Sequence, residues 1–154
     1  MSALYRFVSP AVALADPADK AAALHEVAGV LACAYPELDR SELLESLEER
    51  EALGSTGFGR GIALPHARSD RIKRPVAAFV RLAHPIDFAS TDGLPVDMLV
   101  GLVSPVDAGV GHLHALAALS RMMRDDALVE ALRDAPDAEA IFALIANIAD
   151  RDAA

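Results

Sequence analysis

The chain has 154 residues, of which 53 % are hydrophobic and 24 % charged, so we expect one globular domain spanning residues 1–154. A net charge of −9 argues against a nucleic-acid-binding protein, and no apolar run approaches the roughly 20 residues that a membrane-spanning helix needs. The single cysteine, Cys33, excludes an internal disulfide, and residues 1–15 lack a signal-peptide pattern, so we expect a cytoplasmic protein.

Two helices are predicted in the first third of the chain. Asp16-Pro17 is a typical helix start, and the apolar residues that follow at helical spacing are Leu24, Val27, Ala28, Leu31 and Ala34. Cys33 lies in this apolar pattern, so we expect it to be packed inside. Asp39, with Glu42 three residues later, resembles a capping box for a second helix that runs into Gly54.

The middle and the end of the chain predict strands followed by helices. Residues 62–64, 76–82 and 98–103 are apolar runs typical of strands covered on both faces, and residues 86–95 indicate a loop with room for one short edge strand. Three helices are expected after Pro105, over 109–124, over 126–133 behind an Asp125 cap, and over 136–148. The order predicts an α/β fold, a single-domain sandwich with a central mixed β-sheet flanked by helices.

A glycine-rich segment followed by a histidine is the feature most suggestive of chemistry. Four glycines lie within residues 54–61, and Pro65 directly precedes His66. Glycines allow the backbone to fold closely around a small anion and expose its N–H groups, while proline restricts the approach to the next residue. This pattern suits a histidine that handles phosphate.

Two further polar residues lie on helix faces that should point inward. His112 shares a helix face with Leu116, Leu119 and Met123, in a first turn whose dipole disfavours a charged imidazole. Arg50 lies on the apolar stripe of the second helix, at the end that leads into the glycine segment. Each also has a structural interpretation, His112 as a hydrogen-bonded core residue and Arg50 as a residue closing the helix C-terminus.

The positive charges are concentrated around the glycine segment. Seven of the 14 Lys and Arg residues lie between positions 50 and 84, namely Arg50, Arg60, Arg68, Arg71, Lys73, Arg74 and Arg81. In an acidic protein, such a zone fits docking of an anionic group or an acidic partner. The alternative for Arg71, Lys73 and Arg74 is a solvated strand edge protected against aggregation.

Other kinds of site fit the sequence poorly. His112 and His114 diverge on a helix and there is no cysteine pair, so we expect no metal site. The glycines follow a helix and lack the Gly-Lys-Ser/Thr ending of a nucleotide-binding loop, and Ser55 is in no nucleophile-elbow sequence. His25 and His84 are expected to be structural or surface residues.

The segment from Arg50-Glu51 through Gly54-Ser55-Thr56-Gly57 to Ile62-Ala63-Leu64-Pro65-His66 resembles a known family signature. It is similar to that of the enzyme IIA domains of the bacterial phosphoenolpyruvate-dependent phosphotransferase system, of the mannitol/fructose/nitrogen-regulatory type. Gly111-His112-Leu113 with Ser120-Arg121, and Pro95-Val96-Asp97, also match. The resemblance covers about residues 10–148, is strongest to the stand-alone nitrogen-regulatory type, and departs from the common pattern at Phe58, Arg60 and Arg68.

The resemblance implies a phosphotransferase without a cofactor, in which His66 is phosphorylated and His112 and Arg50 complete the catalytic site. We expect Ser55, Thr56 and Gly57 of the loop to bind the phosphate by donating hydrogen bonds to its oxygens. The implied partners are an HPr-like phosphocarrier as donor and regulatory proteins, or a IIB domain, as targets. The alternatives are a sugar-transport component, a docking module that performs no catalysis, and a small hydrolase that uses His66 and Ser55.

Overall fold

The computed structural model describes the backbone of residues 4–153 and the side chains of residues 4–148. Over that range, five α-helices surround one six-stranded sheet. The helices are α1 (Lys20–Ala34), α2 (Arg40–Ala52), α3 (Val110–Met122), α4 (Asp126–Asp134) and α5 (Ala138–Ala153). The strands are β1 (Val12–Ala15), β2 (Gly57–Gly59), β3 (Ile62–Ala63), β4 (His66–Ser69), β5 (Val76–Ile86) and β6 (Val96–Pro105).

The sheet is mixed, with the two long strands at its centre. β5 and β6 pair antiparallel, β1 adds parallel to β5, and the strand order is β1-β5-β6-β3-β2. β3 and β4 both pair parallel with β6 along the same edge, β3 opposite Met98 and Leu99 and β4 opposite the segment from Leu102 to Pro105. The predicted α/β sandwich with a central mixed sheet is therefore confirmed.

The sheet separates two hydrophobic cores because successive side chains of β5 and β6 point to opposite faces. Val80, Leu99 and Val103 pack with α1 and α2, whereas Phe79, Met98 and Leu102 pack with α3, α4 and α5. This two-sided cover explains why the central part of each strand, 76–80 and 98–103, is a continuous apolar run in the sequence. β6 approaches α1 closely at Gly101, where an added Cβ would lie 2.8 Å from Cγ1 of Val27.

β3 and β4 follow one another along the same side of β6, and their pairing with β6 is interrupted at Leu64-Pro65, directly before His66. The Leu64 N–H donates to the Thr56 carbonyl at 3.0 Å, and proline has no N–H to donate. The Pro65 carbonyl still accepts from the Leu102 N–H at 3.1 Å, so the chain stays beside β6 and pairing resumes at His66. The interruption fixes the first residue of β4 at the edge of the sheet.

Several predictions about local structure need correction. The cap of α1 is Asp19, whose side chain accepts from the Ala22 N–H, and not Asp16. Cys33 is exposed, because it lies on the opposite side of α1 from the buried stripe. Residues 87–95 contain no strand, α5 begins at Ala138 and not at Pro136, and β1, β2 and β4 were not predicted. The predicted caps at Asp39 and Asp125 are confirmed.

No helix in the described part of the chain is long and apolar enough to cross a membrane.

Candidate functional site

His66 is held by its own backbone at the interruption of the sheet edge. Its ring is half-buried, and Nδ1 lies 2.8 Å from the Leu64 carbonyl oxygen. Because a carbonyl oxygen can only accept, we assign the ring proton to Nδ1. The lone pair of a neutral His66 is therefore on Nε2, which points away from the strand backbone.

Arg50 meets that lone pair directly. It lies in the last turn of α2, where its Nε donates to His66 Nε2 at 3.2 Å and its Nη1 donates to the Gly54 carbonyl at 2.8 Å. The two interpretations of Arg50 from the sequence are thus combined in one side chain, which both closes the helix C-terminus and contacts the candidate nucleophile.

His112 approaches His66 from the other side, at the start of α3. The two ring centroids are 5.5 Å apart, and the His112 side chain is buried, as its helix face predicted. Its Nδ1 lies 2.7 Å from Oγ of Ser104, a fully buried residue of β6. Ser104 was missed by sequence reasoning, since a serine at the end of an apolar strand carries no signal of this contact.

Both histidines are electrostatically biased toward the neutral form. Burial lowers the pKa of His66, and the charges of Arg50 and Arg68 lower it further, against the raising effects of the Leu64 hydrogen bond and the Glu51 charge. Burial, followed by Arg68 and His66, lowers the pKa of His112 to about 4. The neutral His112 expected from the helix dipole is thus explained mainly by desolvation.

The loop of residues 54–57 is shaped by hydrogen bonds within the protein. The Ser55 hydroxyl donates to the Phe88 carbonyl at 2.9 Å and accepts from the Gly57 N–H at 3.0 Å. The Thr56 hydroxyl donates to Glu51, and the Thr56 N–H donates to the same carboxylate at 3.1 Å from Oε2. Both hydroxyls and the Gly57 N–H already donate to protein oxygens in this conformation, so phosphate would have to replace those partners, and the assignment of Ser55, Thr56 and Gly57 to phosphate binding stays a prediction.

A cavity of about 500 Å³ opens in front of His66. Every predicted site residue except His112 lines it, together with residues, some of them on the α3 side, that sequence reasoning did not select for the site. The lining residues are Arg50, Ser55, Thr56, Gly57, Phe58, Leu64, His66, Thr91, Leu116, Ser120 and Arg124. Since Arg50 and Arg124 both contribute, the cavity favours an anionic occupant.

The predicted basic zone is only partly a property of this cavity. Arg71 forms a bidentate pair with Glu42, and Arg81 donates to the carbonyls of Leu132, Arg133 and Ala135, far along the chain. Arg60 pairs with Asp126. Arg50 lines the cavity and Arg68 acts electrostatically on both histidines, so these two are the members of the zone that bear on the site.

The chain matches a known protein family. The family model described as "Phosphoenolpyruvate-dependent sugar phosphotransferase system, EIIA 2" matches residues 11–148. The chain is 39 % identical over 125 residues to a nitrogen regulatory protein of Pseudomonas aeruginosa, a match that covers 81 % of each protein.

Solved structures give the same result at the level of the fold. The nitrogen regulatory protein IIA-Ntr from Neisseria meningitidis has a TM-score of 0.81 at 30 % identity, over 90 % of this chain and 95 % of that one. The solved complex of enzyme IIAMTL and phosphorylated enzyme IIBMTL from Escherichia coli gives a TM-score of 0.77 at 18 % identity, over 93 % of this chain and 99 % of the matched chain. At that identity the likeness is one of fold alone.

Proposed function

The chain belongs to the EIIA 2 family of the phosphoenolpyruvate-dependent sugar phosphotransferase system, and from this premise we propose that it carries a phosphoryl group on Nε2 of His66. The observation that carries the proposal is the geometry of that nitrogen. Its lone pair faces a guanidinium at 3.2 Å, while Nδ1–H is fixed on a carbonyl oxygen 2.8 Å away. A neutral imidazole in this pose is a nucleophile held beside a phosphate-binding group.

The donor is a phosphohistidine of a small HPr-like phosphocarrier protein. His66 Nε2 attacks the phosphorus atom in line, the new N–P bond forms as the N–P bond of the donor breaks, and the electron pair of that bond returns to the donor imidazole. Throughout the step, Nδ1–H of His66 stays on the Leu64 carbonyl and so fixes the ring orientation. The phosphoryl group passes from one histidine nitrogen to another, so the bond broken and the bond formed are of the same kind and the step needs no additional energy source.

Arg50 changes partners during the transfer. Its Nε donates to the very lone pair that must attack, so arrival of the phosphoryl group transfers this hydrogen bond from Nε2 to a phosphoryl oxygen. A guanidinium can bind phosphate through two parallel hydrogen bonds, which places its positive charge where negative charge develops. His112 lies beside His66, with the ring centroids 5.5 Å apart and its Nδ1 on Ser104, and in this proposal it supplies the second polar group.

The proposed role of the phosphorylated and unphosphorylated forms is regulatory. Similarity to nitrogen regulatory proteins at 39 % identity over four fifths of each chain supports this reading. In this role, the phosphoryl group adds negative charge at a cavity wall that carries Arg50 and Arg124, and so changes which proteins bind there. The alternative is a docking module that is never phosphorylated, but this role does not account for the exposure of the His66 Nε2 lone pair to the Arg50 guanidinium.

A transport role is the second candidate. It is supported by the likeness of fold to the IIAMTL chain that was solved in complex with phosphorylated IIBMTL. In that case, His66 would pass its phosphoryl group to a IIB domain. The two roles are distinguished by adding a purified IIB domain to the phosphorylated chain and following the label.

The direct test is incubation of the chain with a phosphorylated HPr-like carrier. We expect an acid-labile, base-stable phosphate on the wild-type chain and none on the folded His66→Ala variant. Uptake on another residue would contradict the assignment, and release of inorganic phosphate without a bound intermediate would favour the hydrolase alternative that uses Ser55.

A further inference from the structure

The mechanism above makes no use of Glu51, although its buried carboxylate forms the floor of the loop at residues 54–57. We propose that Glu51 is a positioning residue for phosphoryl transfer, which holds this loop in the conformation that brings Arg50 and His66 together. The inference rests on the proposed phosphoryl transfer and adds to it a residue that touches neither the donor nor the phosphoryl group.

The burial of Glu51 is the first observation. Only 4 % of its side chain is exposed, on the face of α2 that also buries Leu43 and Leu47. Its two oxygens accept the Thr56 N–H at 3.1 and 3.3 Å and also the Thr56 hydroxyl, and Nζ of Lys20 lies 2.8 Å from Oε2. A carboxylate loses much hydration free energy on burial, and here this loss is offset by donors from the loop and from α1.

The second observation is that Glu51 and its neighbour Arg50 hold the loop at two successive points. Arg50 Nη1 donates to the Gly54 carbonyl, and Glu51 accepts from Thr56 two residues later. Adjacent residues on a helix point about 100° apart, so Arg50 reaches His66 on one side while Glu51 reaches beneath the loop on the other. A movement of the loop relative to α2 therefore changes the position of the Arg50 guanidinium as well.

Lys20 extends this arrangement to a second segment. Its Nζ lies 4.6 Å from the ring centroid of the fully buried Phe88, whose carbonyl accepts the Ser55 hydroxyl. Lys20 thus contacts Glu51, which holds Thr56, and Phe88, which holds Ser55. We call Lys20, Glu51, Thr56 and Phe88 the loop clamp.

Stability alone is a weak explanation for this clamp. Buried ion pairs are often replaced by apolar residues without loss of stability, so a charged pair is not needed simply to fill this space. What an apolar pair cannot supply is two directional acceptors for the N–H and the hydroxyl of Thr56. The clamp fits a requirement for one particular loop conformation, and transfer rates respond strongly to such positioning.

The test uses Glu51→Gln and the double variant Lys20→Met/Glu51→Leu in the full chain, with Glu48→Gln as control. Glutamine leaves a single acceptor oxygen in place of two, and the double variant removes both charges together and so preserves folding. Glu48 is an exposed glutamate of the same helix, and its variant makes the same change of charge as Glu51→Gln. The measurements are the single-turnover rate of phosphoryl uptake, donor affinity, and NMR signals of His66 and of the Thr56 amide.

We expect the single-turnover rate of Glu51→Gln and of the double variant to fall by roughly 10²-fold, the size of effect that misplacement by about 1 Å produces. The affinity of both variants for the donor should stay at the wild-type value, because Glu51 is buried. The control variant Glu48→Gln should keep the wild-type single-turnover rate. Wild-type transfer rates in folded forms of both variants would overturn the proposal, and so would a loss confined to donor affinity.

The NMR measurements separate this proposal from the proposed function. They need no donor, so they remain decisive even if the wild-type chain takes up no phosphate, a result that would refute the function alone. We expect faster hydrogen exchange of the Thr56 amide and shifted ring signals of His66 in Glu51→Gln. An unchanged Thr56 amide and unchanged His66 signals would overturn the positioning role.

Discussion

Replacing Arg50 with alanine is expected to slow phosphoryl uptake while leaving the chain folded. The change removes one hydrogen bond of 3.2 Å to His66 Nε2 and one of 2.8 Å to the Gly54 carbonyl. The loss of one preorganised donor to a developing oxyanion costs about 10²–10³ in rate. The bond to Gly54, which closes the helix end, contributes only about 1 kcal/mol to stability.

The same substitution also changes the acid–base behaviour of the nucleophile in a fixed direction. The positive charge of Arg50 lowers the pKa of His66, so its removal raises that pKa. The acid limb of the pH–rate profile should therefore move to higher pH in Arg50→Ala, because His66 protonates, and loses its lone pair, earlier as the pH falls. Arg50→Lys keeps the charge but not the planar fork, so its rate should lie between those of wild type and Arg50→Ala.

The assay is rapid-quench measurement of single-turnover uptake from a phosphorylated HPr-like carrier, over a range of pH. Arg71→Ala serves as the control, since Arg71 is an exposed arginine paired with Glu42 and its variant makes the same change of net charge. A wild-type rate for Arg50→Ala, or equal slowing in Arg71→Ala, would refute the reasoning, because transfer would then depend on overall charge and not on this guanidinium.

Three further outcomes are expected. NMR titration should give His112 a pKa of about 4, and Arg68→Gln should raise it, whereas an ordinary pKa of 6.5 would contradict the burial of this ring. The free energy of unfolding should fall as the pH drops from about 6.5 toward 4, because over that range only the unfolded chain binds a proton at His112. Gly101→Ala should lower the free energy of unfolding by about 1–3 kcal/mol in urea, since its Cβ would lie 2.8 Å from Val27, and an unchanged midpoint would mean that β6 and α1 are not in contact there. Asp39→Ala should cost about 1 kcal/mol by removing the cap of α2 without slowing uptake, and a loss of uptake would instead link this cap to the site.

The strands that escaped prediction are those whose identity depends on distant neighbours. β4 is only four residues long and includes His66 and Arg68, and it becomes a strand through its register with residues 102–105 of β6. β1 is equally short and forms by parallel pairing with β5, more than 60 residues away. Local pattern carries no information on such pairing, whereas residues 76–80 of β5 and 98–103 of β6 are continuous apolar runs, so both strands were predicted.

In the candidate site, too, some residues are marked by the local sequence and others are determined only by contacts between distant segments. His66, Arg50 and His112 could be selected because a motif or an inward helix face marks them, and the structure brings all three together. The partners of these residues could not be predicted. Ser104 contacts His112 only because β6 ends beside the first turn of α3. Glu51 shares the buried face of α2 with Leu43 and Leu47, but that helix pattern does not identify the Thr56 hydroxyl as its partner.

The nitrogen atom that forms the bond to phosphorus is the most direct test of the account. After phosphorylation by the carrier, ¹⁵N and ³¹P NMR of the intact chain should show one phosphoryl group on Nε2 of His66, with Nδ1 still protonated on the Leu64 carbonyl. Phosphate on Nδ1 of His66, on His112, or on neither histidine under conditions where a known acceptor is fully phosphorylated would contradict it.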